Sequence, residues 1–76
     1  MIGIAFIFIG TNPGREREVI DELMKFDDVV RNEIYILFGE WDIVIRVRGD
    51  EFGNFNVHKI RQIKGVADTK VMTTTG

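Results

Sequence analysis

The sequence predicts an α+β domain, and three observations carry that expectation. Hydrophobic patterning runs strand, helix, strand, strand, helix, strand; the pattern divides at Gly39 into two similar halves; and 76 residues leave room for one domain, residues 1–76.

The run Ile2 to Ile9 is almost wholly apolar and rich in Ile and Phe, as expected of a central strand buried on both faces. A short buried helix would share that composition, but Gly10-Thr11-Asn12-Pro13 ends the segment. Asn12 reads as an N-cap and Pro13 as the first position of a helix. Along that helix Val19, Ile20, Leu23 and Met24 form an apolar stripe, with Phe26 at its end. Asp21 and Lys25 stand at the spacing of an i,i+4 pair. Asp27-Asp28 breaks the helix, and Val29 to Phe38 has the β-branched and aromatic content of a second strand. Gly39-Glu40 reads as a tight turn into a third strand, Trp41 to Arg48, whose alternation sets Trp41, Ile43, Ile45 and Val47 on one face. Asp50 can cap a second helix with apolar positions Phe52, Phe55, Ile60 and Ile63. Gly65 supplies its left-handed stop, and Val66 to Thr75 reads as a last strand.

This order is that of the ferredoxin-like split βαβ sandwich, an antiparallel four-stranded sheet in the order 4-1-3-2 with both helices on one face. Two helices cannot cover both sides of the sheet. In the first strand Ile2, Ile4, Phe6 and Phe8 alternate with Gly3, Ala5, Ile7 and Ile9, so one apolar set lacks a partner within the chain. An exposed patch of that kind marks an interface, and the expectation is a homodimer packed through uncovered sheet faces.

Oligomerisation also answers the stability problem of a short chain, whose core is marginal unless something supports it. Disulfides cannot, with no cysteine, and a structural zinc site has only His58 to draw on. No metal and no cofactor is expected. The composition, 45% hydrophobic and 29% charged, is that of a folded soluble protein. Ile2 to Ile9 is too short to span a bilayer and has no basic leader, which predicts a cytoplasmic protein that does not engage membranes. A net charge of −2 and a pI near 5.3 argue against direct DNA binding by this chain.

The motifs of chemistry are few. There is no cysteine nucleophile, no serine, no Gly-rich phosphate loop and no pair of histidines, and the expectation is a protein that is not an enzyme. His58 is the one side chain with an ordinary pKa near neutrality, and among Asn56, Lys59 and Arg61 it reads as a solvated surface group. Gly10-Thr11-Asn12-Pro13-Gly14 could present backbone N–H groups to an anion, although helix capping asks for the same residues. Gly39-Glu40-Trp41-Asp42 resists a purely structural account, because Asp42 sets a carboxylate against the start of an aliphatic strand. Turn hydrogen bonding is one explanation. The other is a grip on a small zwitterion, with Asp42 meeting an ammonium and turn amides near Gly39 meeting a carboxylate.

The hairpin Gly39-Glu40-Trp41-Asp42-Ile43-Val44-Ile45-Arg46-Val47, the segment Asn12-Pro13-Gly14-Arg15-Glu16 and the segment Ile60-Arg61-Gln62-Ile63-Lys64-Gly65-Val66 resemble the effector-binding (RAM) domain of the Lrp/AsnC regulators over nearly the whole chain. The resemblance implies a dimeric α+β barrel, frequently a ring of four dimers, with amino-acid effectors held between dimers. It implies a site at Gly39, Glu40, Trp41 and Asp42, completed by Thr69 from a neighbouring dimer. Thr69 matches the first position of the family's Thr-x-Thr pattern; Val71 replaces the second, and Phe38 stands where a small hydroxyl residue is frequent. Family members carry an amino-terminal helix-turn-helix, whereas here Met1 precedes the first strand directly. The resemblance therefore implies a stand-alone sensing module that could co-assemble with full-length regulators. Two other readings stand beside it: a small dimeric α+β barrel enzyme of monooxygenase or isomerase type, and a structural assembly partner that binds no ligand.

Overall fold

In the computed structural model, residues 4–27, 29–48 and 57–73 are described. Strands β1 (Ala5–Thr11), β2 (Val29–Ile36), β3 (Ile43–Val47) and β4 (Val66–Thr73) form one sheet in the order β2-β3-β1-β4, all pairs antiparallel. Helices α1 (Glu16–Leu23) and α2 (His58–Arg61) lie in the two crossovers. This is the ferredoxin-like order expected from the patterning, with β3 and β1 central.

Strand alternation divides the two faces. Ala5, Ile7 and Ile9 of β1 and Ile43, Ile45 and Val47 of β3 point to the helices and are buried with Val19 and Leu23 of α1, Ile60 of α2 and the following Ile63. Every buried side chain among the described residues is aliphatic, and none is polar. On the opposite face Phe6 and Phe8 remain half-buried, beside Val44 and Arg46 of β3. Their register neighbours on β4, Met72 and Lys70, are exposed. The Arg46 guanidinium holds both oxygens of Glu33 at 2.9 and 3.1 Å across this open face.

Several boundaries differ from the sequence expectation. Helix α1 begins at Glu16, with no side-chain cap at Arg15. Asn12 accepts a bond from Arg15 N–H at 3.0 Å and Gly14 sits at φ +82°, which makes Asn12-Pro13-Gly14-Arg15 a turn of type II character; a left-handed residue cannot lie within a helix. Strand β1 runs on through Gly10 and Thr11, pairing with β4 across a bulge between them. Because α1 ends at Leu23, Lys25 lies beyond its last turn and pairs with Glu22 at 2.8 Å instead of Asp21, while Met24 is exposed. That hydrogen bond, with the Glu22 charge, raises the Lys25 pKa. Trp41 precedes β3 and does not share the face of Ile43. The second-helix positions Asp50, Phe52 and Phe55, and Ile2 and Gly3, lie outside the described residues.

Gly65 ends the α2 segment at φ +102°, as the sequence suggests, and a Cβ there would stand 2.9 Å from Arg15 Cβ and 3.1 Å from Val19 Cγ2. Its carbonyl accepts Asn12 N–H at 2.8 Å, tying the start of β4 to the turn before α1. Gly65→Ala therefore carries both backbone strain and a clash. The expected loss is about 1–3 kcal/mol, read as a fall in Tm of roughly 4–8 °C per kcal/mol at fixed protein concentration. In the aliphatic layer, Ile7→Ala empties a fully buried site, and a loss of about 2–5 kcal/mol is expected in urea unfolding.

Candidate functional site

The hairpin loop between β2 and β3 is held at its base by main-chain bonds. Leu37 N–H donates to the Asp42 carbonyl at 2.8 Å, and Asp42 N–H donates to the Ile9 carbonyl at 3.0 Å. Between these anchors Gly39 takes φ +143°, a value that favours glycine. Glu40 is exposed, and Phe38 stands 99% exposed at the loop. The loop spans residues 37–42, longer than the tight turn expected at Gly39-Glu40.

Asp42 has a structural task that the sequence does not disclose. Paired rungs between β1 and β3 end at Ile9 opposite Ile43, because the chain turns away at Trp41. Beyond that point Thr11 N–H lacks a strand partner on this side, and Asp42 Oδ2 accepts it at 2.8 Å. The Thr11 hydroxyl reaches the same oxygen at 3.3 Å. A side-chain carboxylate thus replaces the next main-chain acceptor of the ladder. Among the described residues Oδ1 receives no hydrogen bond, and the half-buried carboxylate keeps one oxygen for a further donor.

Trp41 lies on the open sheet face. Its ring is tilted 55° to that of Phe8 at a centroid separation of 6.4 Å and covers Gly10, where a Cβ would stand 3.8 Å from ring atoms and 3.8 Å from Asp68 Cβ. The structure therefore gathers Gly39, Glu40, Trp41 and Asp42 at one end of the sheet and adds Thr11 and Gly10 from β1. Thr69 is not brought to them within the chain. It pairs with Ile9 on β4 and faces the helices, where its hydroxyl accepts Arg61 Nε at 2.8 Å. His58 is exposed on α2, on the helix-covered side.

Thr11 and Gly10 escape the sequence reading because the apolar run that marks β1 stops at Ile9. The available signals are a glycine inside a strand pattern, which marks close approach of another group, and the Pro-Gly pair, which marks a type II turn.

No family model matches the sequence. An uncharacterized HTH-type transcriptional regulator of Pyrococcus furiosus is 36% identical over 92% of this chain and 49% of its own length. The HTH-type transcriptional regulator FL11 of the same organism is 33% identical over 91% of this chain and 46% of its own. This chain spans about half the length of the curated relatives it matches. The crystal structure of FFRP-DM1 superposes with a TM-score of 0.81 at 31% identity, covering 97% of this chain and 100% of that one. A protein of Thermus thermophilus, with a TM-score of 0.82 at 22% identity over 99% of this chain and 95% of its own, shares the fold.

Sheet order and one-sided helices define a ferredoxin-like α+β domain, similar to about half the length of relatives named as transcriptional regulators. The chain belongs to the Lrp family.

Proposed function

We infer that this domain is the sensing and assembly part of a transcriptional regulator of the Lrp type, working in the cytoplasm as a homo-oligomer that responds to free amino acids and does no chemistry of its own. The reading rests on the hairpin loop, where a half-buried carboxylate commits one oxygen to Thr11 and leaves Oδ1 for an ammonium donor. Likeness to relatives named as regulators supports the wider role. The assembly unit in this reading is a dimer sealed through Phe6, Phe8 and Trp41 on the open face, with four dimers in a ring and Thr69 offered from a neighbouring dimer. A module of this kind could act alone or within assemblies of full-length regulators that carry the helix-turn-helix.

The monooxygenase or isomerase alternative needs a polar pocket inside each protomer, and the wholly aliphatic interior of the described residues disfavours it. The purely structural alternative gains from one observation: the Thr11 bonds give Asp42 a reason to be there without any ligand. Calorimetry against the proteinogenic amino acids separates the two. Binding by at least one is expected, and Asp42→Asn should weaken it by roughly tenfold or more while leaving Tm within a few degrees, since the amide keeps an acceptor for Thr11. Silence across the panel, together with co-purification of a DNA-binding relative that no amino acid affects, would establish the structural reading.

The dimer carries its own test. Phe8→Glu places a carboxylate on the open face without touching the aliphatic layer, and sedimentation should show dissociation at roughly tenfold higher concentration or more. An unchanged oligomer would mean that the seam lies elsewhere.

A further inference from the structure

We propose that Thr11 is a positioning residue of the ligand site and sets its preference for a free amino group, an inference that rests on the amino-acid reading of Asp42. The geometry begins with the bulge between Gly10 and Thr11, which shifts β1 against β4 just where its pairing with β3 has ended. Thr11 is left with two donors on the β3 side, its N–H and its hydroxyl, and both converge on Asp42 Oδ2 at 2.8 and 3.3 Å. A carboxylate held by one bond can swing about its Cβ–Cγ axis and exchange its two oxygens. A second donor on the same oxygen fixes the plane of the group and keeps Oδ1 turned away from Thr11. The main-chain bond from Asp42 N–H to Ile9 fixes the backbone from which the carboxylate projects.

One consequence concerns ligand chemistry. With Oδ2 occupied, Asp42 offers a single acceptor, matched to one N–H of a compact ammonium and poorly matched to a planar guanidinium, which seeks both oxygens at once. The preferred ligand is therefore an amino acid recognised through its α-ammonium. An N-acetylated amino acid keeps the carboxylate and side chain but has lost the cation, and it is discriminated against.

The experiment compares the wild type with Thr11→Val and Thr11→Ser by calorimetry, using the proteinogenic amino acids and their N-acetyl derivatives as probes. Valine keeps the backbone N–H, the β-branched shape and the strand propensity, so the fold should survive, and an unchanged circular dichroism spectrum and Tm would verify this. Expected results are affinity for the free amino acid reduced roughly tenfold in Thr11→Val, its preference over the N-acetyl form narrowed, and both restored in Thr11→Ser, whose hydroxyl returns. A general loosening of the domain would weaken both ligand forms alike and would not be rescued by serine, which would overturn the proposal. So would Thr11→Val binding as tightly and selectively as wild type; if Asp42→Asn still abolished binding in that case, the amino-acid reading would stand without Thr11. No binding by the wild type would remove both.

Discussion

Everything in this chain follows from how a small sheet is covered. Strand β1 is flanked by β3 and β4, and its alternate residues must satisfy two different environments. Two helices with a short apolar stripe each can seal one side, and they do so with Ile7, Ile9, Ile43 and Ile45 wholly excluded from water. The other side receives Phe6, Phe8 and Trp41, which are too large and too apolar for an ordinary solvated surface. The Arg46–Glu33 pair stands on that same face, with both partners partly exposed and Arg46 Nη1 donating to both carboxylate oxygens.

The topology was legible because it depends on periodicities the sequence states plainly. A continuous apolar run at the first strand, a period-two run at the third and a helical stripe at Val19, Ile20 and Leu23 leave few arrangements with short connections. Gly65 was legible for a local reason, since a left-handed helix stop favours glycine; the structure adds that Arg15 and Val19 press against the position. Differences arise where local signals compete. Asn12 and Pro13 satisfy the rules for a helix start, yet Pro13 and Gly14 together satisfy those of a type II turn. The turn prevails because Asn12 N–H is already bound to the carbonyl of Gly65, a contact far away in sequence. Trp41 departs from its expected face because strand alternation does not extend past the end of the strand. Once the ladder stops at Ile43, the backbone is free to turn its side chain to the other face.

Asp42 shows why a site can be half legible. A carboxylate beside an aliphatic strand announces itself, but its partner does not, because nothing local links position 42 to position 11. The partner is fixed by where two strands stop pairing. The need is general: an edge N–H at the end of a rung requires an acceptor, and a short acidic side chain one residue beyond the partner strand reaches it. Asparagine would also accept the Thr11 bonds, but without the negative charge that strengthens them. A carboxylate adds a second acceptor oxygen, Oδ1, which receives no hydrogen bond among the described residues.

The hairpin and the open face are also joined through adjacent residues. Asp42 is bound to the edge of β1, while Trp41, its neighbour in the chain, lies across Phe8 and Gly10 on the face that the helices leave bare. The main chain between the two side chains is short and anchored at Asp42 N–H, which holds both side chains to the end of β1. Gly10 sustains this arrangement: a methyl group at that position would only touch the indole, whereas a larger side chain would lift it from Phe8. The open sheet face and the hairpin loop therefore meet at Trp41, whose ring packs on Phe8 while the adjacent Asp42 holds Thr11.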